Sequence, residues 1–131
     1  MYKKTHSIIV LTLASLVAQA QTYSGGAGTV ANPYLIANKT DLKYLSEHAN
    51  QWTYHYKQTA NINFTTTDFA TGGAFYNTGL GFRPIGKYDT LFRGTYNGNH
   101  FVINSLIINR PNADYVALFG NANYATLPIR L

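Results

Sequence analysis

Residues 100–109, HFVINSLIIN, break the simple alternation expected of a strand, and the way they break it sets the fold class. Phe101 and Ile103 share one face at a spacing of two, but the next apolar pair, Leu106 and Ile108, is offset by three from Ile103. Side chains alternate strictly along a strand, so a flat strand would bury one pair and expose the other. A bend at Asn104 and Ser105 brings both pairs inside. Strand, bend, strand, with apolar residues inward and no long helical crossover, reads as one coil of a parallel β-solenoid. Antiparallel hairpins compete with it, because Tyr96-Asn97-Gly98-Asn99 also reads as a tight hairpin turn.

Before and after this segment, short strands separated by Gly, Asn and Asp turns are predicted over residues 52–56, 62–64, 82–85, 91–96 and 115–119. Residues 65–81, TTTDFATGGAFYNTGLG, carry no clear period and read as an excursion loop. Upstream, residues 23–33, YSGGAGTVANP, form a Gly-rich opening with an Asn-Pro stop. No strand precedes those glycines and no helix opens on them, so they do not make a phosphate cradle. A short strand follows at residues 34–37, then a predicted helix over residues 41–49. Thr40 is its candidate N-cap, Asp41 suits the positive end of the dipole, and Leu42, Leu45 and Ala49 share one face. So short a helix needs tertiary packing to persist.

At the N-terminus, Lys3 and Lys4 precede an apolar run over residues 7–17 and the triplet Ala18-Gln19-Ala20. This is the charge, apolar core and cleavage pattern of a secretory signal peptide. The run would reach only about 16 Å as a helix, against roughly 30 Å for a bilayer core. The expected organisation is a signal peptide at 1–20, a Gly-rich start with a capping helix at 21–50, and the first coils of a solenoid at 51–131, read as truncated at its C-terminus. The 131 residues carry a formal charge of +5 and no cysteine, and only 11% are charged. A disulfide framework, a thiolate zinc site and a cysteine nucleophile are thereby excluded. Removing the leader lowers the charge to +3, and the remaining Lys and Arg are scattered singly. Export and scatter exclude nucleic acid as a partner.

Taken together, YSGGAGTVANPYLIANKTDLKYLSEHA, YKQTANINF, FRPIG, LFRGTYNGNHFVINSLIIN and YVALFG, in that order, resemble the N-terminal part of bacterial secreted GLUG-motif proteins, which are adhesin- and haemagglutinin-like. Residues 32–36 match that family's "DPYLI" start, Asp41, Leu42 and Leu45 its "DLxxL" helix, and residues 56–63 its "YxLxxDIDL" strand. Residues 84–86 match the "PIG" turn and residues 92–106 the "FxGTFDGNGHxIxNLxI" coil, including Asn97, Gly98 and Asn99. Leu118, Phe119 and Gly120 end the short "AGLFG" motif. The chain departs from the pattern at His100 and Ala117, where glycines are usual, at Asn61 and Asn63, where aspartates are common, and after Thr126. The resemblance implies an all-β fold: a right-handed parallel β-helix (solenoid) segment with a short N-terminal capping α-helix. Ile62, Ile85, Phe92, Ile103, Leu106, Ile108, Leu118 and Phe119 would fill the coil.

No catalytic, cofactor-binding or metal-ligating set emerges. Asp41 suits a helix start, Glu47 a polar helix face, and Asp68, Asp89 and Asp114 lie in turn-like contexts. Glycosidase chemistry needs two carboxylates at a defined separation. His48, His55 and His100 lack metal-binding spacing, and no serine sits in a G-x-S-x-G elbow. Trp52, Tyr54 and Tyr56 alternate, and read either as ligand-contact aromatics or as core beneath the helix. The expected function is an exported, non-enzymatic, adhesin-like structural or interaction segment, secreted or on the outer surface of a Gram-negative bacterium. The alternatives are the start of a polysaccharide-active β-helix enzyme and a carbohydrate-binding module. Expected partners are a cell-surface glycan or protein, with no cofactor and only transient membrane contact through the leader. The open solenoid end is expected to self-associate.

Overall fold

A computed structural model describes residues 3–5, 22–123 and 126–131. The expected signal peptide lies outside these apart from residues 3–5. No helix among the described residues is long and apolar enough to cross a membrane.

The chain enters through β1 (Tyr34–Ile36) and crosses by α1 (Lys39–Glu47) to β2 (His55–Gln58), which pairs parallel to β1. The helix starts two residues earlier than its sequence pattern predicts. Its cap is Asn38, whose Oδ1 accepts the Asp41 amide at 2.9 Å, and not Thr40. Asparagine caps at least as well as threonine, and this register places Leu42 and Leu45 fully inside the core. The helix ends at His48, whose amide bonds the Leu45 carbonyl. Asp41 pins the Gly-rich opening to the helix by accepting from Ser24 Oγ at 2.6 Å and from the Ala37 amide at 2.9 Å.

After β2 the chain turns a corner into β3 (Ile62–Asn63), then leaves on the excursion that carries α2 (Thr66–Phe69). It returns through Ile85 and Phe92 to β4 (Thr95–Asn97), turns a second corner, and enters β5 (Ile103–Asn104). The strands form two sheets, ordered β1-β2-β4 and β3-β5, and every pairing between them is parallel. β4 therefore lies on β2 and β5 on β3, and the two do not pair with each other. That excludes the hairpin reading of Tyr96-Asn97-Gly98-Asn99, which forms a corner between the two sheets.

Paired positions of the longer crossovers recur about 40 residues apart. Thr95 lies beside His55, forty residues earlier, with its hydroxyl 2.8 Å from His55 Nδ1. Asn104 lies beside Asn63, 41 residues earlier, its Nδ2 donating to Asn63 Oδ1 at 2.6 Å. A further layer follows through single parallel bridges Ile85–Phe119, Phe92–Ala122, Thr95–Thr126 and Val102–Arg130. In-register stacking places Tyr34, Tyr56 and Tyr96 in one column and Ile62 over Ile103 in another. Within the first column the Tyr34 and Tyr56 rings lie 5.8 Å apart, while Tyr56 meets Phe92 and Tyr96 meets Phe119. Ser105 takes a left-handed conformation (φ 58°), which supplies the expected bend. Ile103 is buried, and Leu106 and Ile108 pack against the core from partly buried positions.

Two features depart from the sequence expectation. The strands are shorter than predicted; residues 82–85, 91–94 and 115–119 contribute bridges, not runs. The excursion is packed, because Thr65 and Asp68 form a reciprocal capping box at the start of α2, and Phe64, Phe69, Phe75 and Phe82 close over it with centroids 5.0–6.3 Å apart. At the corner after β2, Gln58 is fully buried. Its Nε2 donates to the Ala60 carbonyl at 2.9 Å and the Val102 carbonyl at 3.3 Å, and its Oε1 accepts the Tyr96 hydroxyl at 3.2 Å. The side chain thus satisfies the Ala60 carbonyl at the corner and adds a second donor to the Val102 carbonyl, which already accepts the Ile62 amide.

Candidate functional site

Of the two readings of Trp52, Tyr54 and Tyr56, core beneath the helix fits Trp52 and Tyr56, and only Tyr54 is left at the surface. Trp52 is 3% exposed and Tyr56 1%, whereas Tyr54 is 43% exposed. The reason is local: residues 49–54 form a tight 3₁₀ and turn segment, so two-residue alternation does not apply until β2 begins at His55. Trp52 Nε1 donates to the Leu45 carbonyl at 2.8 Å, and the Tyr56 hydroxyl to the Gln51 carbonyl at 2.7 Å. Both rings are core, and Tyr54 alone meets solvent, its edge against Tyr34 at 5.8 Å. Burial pushes the phenol ionisations of Tyr23, Tyr56 and Tyr96 far upward, which keeps them neutral.

The motif residues lie at the corner after β4 and in the last bridged layer. Asn97 Oδ1 accepts the Asn99 amide at 2.8 Å, and Asn99 and His100 both take positive φ at the corner. Gly98 and Gly120 sit where a Cβ would come within 2.6 Å of the Pro128 carbonyl and 2.2 Å of the Tyr115 carbonyl. Leu118 is buried, and Phe119 lies 4.9 Å from Phe92 and 5.3 Å from Tyr96.

Several titratable side chains have local partners. Lys43 and Glu47 pair at 2.6 Å, Lys39 and Asp68 at 2.9 Å, and Lys87 and Asp89 at 3.3 Å. The Lys39 ammonium, together with the Thr65 amide and hydroxyl, holds the Asp68 carboxyl below its usual range; Lys87 does the same for Asp89. His48 stacks on Tyr44 at 3.6 Å and contacts its carbonyl. Among the described residues no three His, Asp or Glu gather as a metal site.

One concavity also gathers cations without an ion pair among the described residues. It encloses about 420 Å³ between the end of α1, the Arg83-Pro84-Ile85-Gly86 turn and the segment after β5. Arg83, Lys87 and Arg110 line it, with Trp52, Leu80 and Tyr115. The antiparallel bridge between Gly81 and Ile108 brings the two arginine-bearing segments together. Burial and the neighbouring Arg83 charge lower the Arg110 guanidinium ionisation, and Arg110 Nε is buried without a hydrogen-bond partner. Sequence reasoning misses this cleft because its cations are single and far apart along the chain; only the folding of the excursion brings them together.

No family model matches the chain, and no solved structure matches it at a significant level. It is similar to a protein described as a Gly-rich membrane protein of Evansella cellulosilytica, 33% identical over 103 residues, or 79% of this chain and 11% of the relative. It is also similar to halomucin of Haloquadratum walsbyi, 38% identical over 94 residues, or 71% of this chain and 1% of that protein. The chain therefore spans only a small part of the length of the curated relatives it matches.

Proposed function

We propose that the chain is the N-terminal segment of a right-handed parallel β-helix belonging to an exported, non-enzymatic, adhesin-like surface protein of the GLUG-motif kind. The observation that carries this reading is the in-register parallel stacking of β1, β2 and β4 and of β3 on β5, with a further layer of parallel bridges beyond them. Parallel strands in one sheet connect by right-handed crossovers almost without exception. On this reading α1 covers the first edge of the solenoid, an edge that would otherwise pair with other chains.

The relatives favour a surface role. One is named for a membrane and the other as a mucin, and both are far longer than the matched region. A module that occupies 1% or 11% of a large protein suits a repeating scaffold better than a self-contained enzyme. The acids support the same view, since Asp41, Glu47, Asp68 and Asp89 each have a local structural partner.

Export gives the direct test. When the full chain is produced in a Gram-negative host, the product is expected in the periplasm or medium with Gln21 as its first residue. A cytoplasmic product that retains residues 1–20 would contradict the proposal.

A further inference from the structure

We propose that the cleft between Arg83 and Arg110 binds an acidic saccharide, with the two guanidinium groups on its carboxylate or sulfate and Tyr115 beside its ring.

The charges come first. Lys39, Lys43 and Lys87 each have a carboxylate partner, whereas neither Arg83 nor Arg110 has an ion pair among the described residues. The two guanidinium groups share one cleft and repel each other there. Arg110 Nε is withdrawn from solvent with nothing to donate to, an uncommon state for a buried polar atom. An anion between the two forks would offset the repulsion and supply the missing acceptor. Guanidinium forks match the planar oxygens of carboxylate and the oxygens of sulfate better than an ammonium does.

The backbone provides a second, independent observation. Tyr115 has φ 62°, a left-handed conformation that is a genuine outlier for a bulky residue. Such strain persists where the surroundings impose it, and it concentrates at functional sites. Its consequence here is that Tyr115, 40% exposed, lines the cleft with its ring 6.5 Å from that of Tyr88, which is 81% exposed. The Tyr115 ring in the cleft wall, with the Tyr88 ring tilted 42° against it, sets an apolar face next to the two unpaired arginines. A sugar ring bearing one negative group fits both at once.

Size and background charge narrow the class. A volume of about 420 Å³ falls within the ~300–1,000 Å³ common for small-ligand pockets, and suits one or two sugar rings. Glu47 and Asp114 also border the cleft. Glu47 is neutralised by Lys43, while Asp114 has no ion pair among the described residues and would repel densely charged polyanions. Chains with one charge per sugar are therefore favoured over acidic peptides, which also lack a ring to stack.

Calorimetric titration of the full chain at fixed ionic strength tests this with four probes: a galacturonate hexamer, a singly sulfated galactan hexamer, neutral cellohexaose and hexaglutamate. Saturable binding of either acidic hexamer is expected, at least ten-fold tighter than cellohexaose or hexaglutamate; which acidic hexamer binds more tightly identifies carboxylate or sulfate as the anion. Arg83→Gln should weaken that binding at least ten-fold with an unchanged Tm, because Arg83 is exposed. Tyr115→Ser should weaken it about three-fold or more. The proposal is overturned if neither acidic hexamer binds saturably, if hexaglutamate or cellohexaose binds as tightly, or if folded Arg83→Gln or Tyr115→Ser binds like the parent.

Discussion

Phe92→Ala is expected to lower the unfolding free energy by about 3–5 kcal/mol, the usual cost of removing a fully buried aromatic ring. Phe92 has no exposed surface, and its ring lies 4.9 Å from Phe119 and 6.1 Å from Tyr56. It thus joins side chains from three successive passes of the chain, and its backbone also exchanges hydrogen bonds with Asn121 and Asn123. Truncation leaves a cavity that neighbours held in fixed register cannot collapse to fill. Small domains have only about 5–15 kcal/mol of stability in total, so the variant should melt more than about 10 °C lower, or be largely unfolded at 25 °C, by circular dichroism. Tyr88→Ala, at an exposed ring, should stay within about 0.5 kcal/mol of the parent. Equal effects at the two positions would refute this assignment of the core.

A loss of similar scale is expected at Gly86, in the turn after Ile85. Gly86 has φ 80°, and a Cβ there would stand 1.9 Å from the Asn121 carbonyl oxygen of the next layer. An alanine meets two penalties: about 1–2 kcal/mol for the left-handed conformation, and displacement of the Asn121 carbonyl, which accepts the Phe92 amide. Gly72 separates the two contributions, since it has φ 86° and a methyl group added there would meet nothing within 4 Å. Gly72→Ala should therefore show only the conformational penalty, and Gly86→Ala should exceed it by at least about 1 kcal/mol in urea unfolding. If the two substitutions cost the same, Asn121 does not lie against Gly86.

Both positions belong to layers joined by parallel pairing that are partly legible in the sequence. The break in alternation between Ile103 and Leu106 points to a bend, and Ser105 supplies it through a left-handed backbone. The apolar face of α1 is legible because Leu42 and Leu45 follow helical period. The sequence points to Thr40 as its cap, but Asn38 takes that role, in the register that buries Leu42 and Leu45. α2 leaves no periodic signal although Thr65 and Asp68 carry its capping box, because four residues are too few to show a period. The core reading of Trp52 and Tyr56 holds, but not as one strand face: alternation in sequence implies a common face only inside a strand, and Trp52 precedes one.

The cleft is the least legible feature. Arg83 and Arg110 look like isolated surface cations along the chain. Their proximity depends on the return of the excursion at Gly81 and Ile108, which no local pattern encodes. Parallel pairing in general leaves little local signal, because each strand finds its partner one coil away and no turn between them sets the register.

The fold stands or falls on whether β5 stacks on β3 or folds back on β4. The cysteine-free sequence allows this to be measured by disulfide trapping in the full chain. Asn63→Cys with Asn104→Cys places thiols at in-register neighbours of the parallel pair. Thr95→Cys with His100→Cys places them where a hairpin turning at Asn97 and Gly98 would bring them together. Under mild oxidation the first pair should close rapidly within a monomer and the second should remain reduced; closure of the second pair with the first left reduced would rule out the stacked coils.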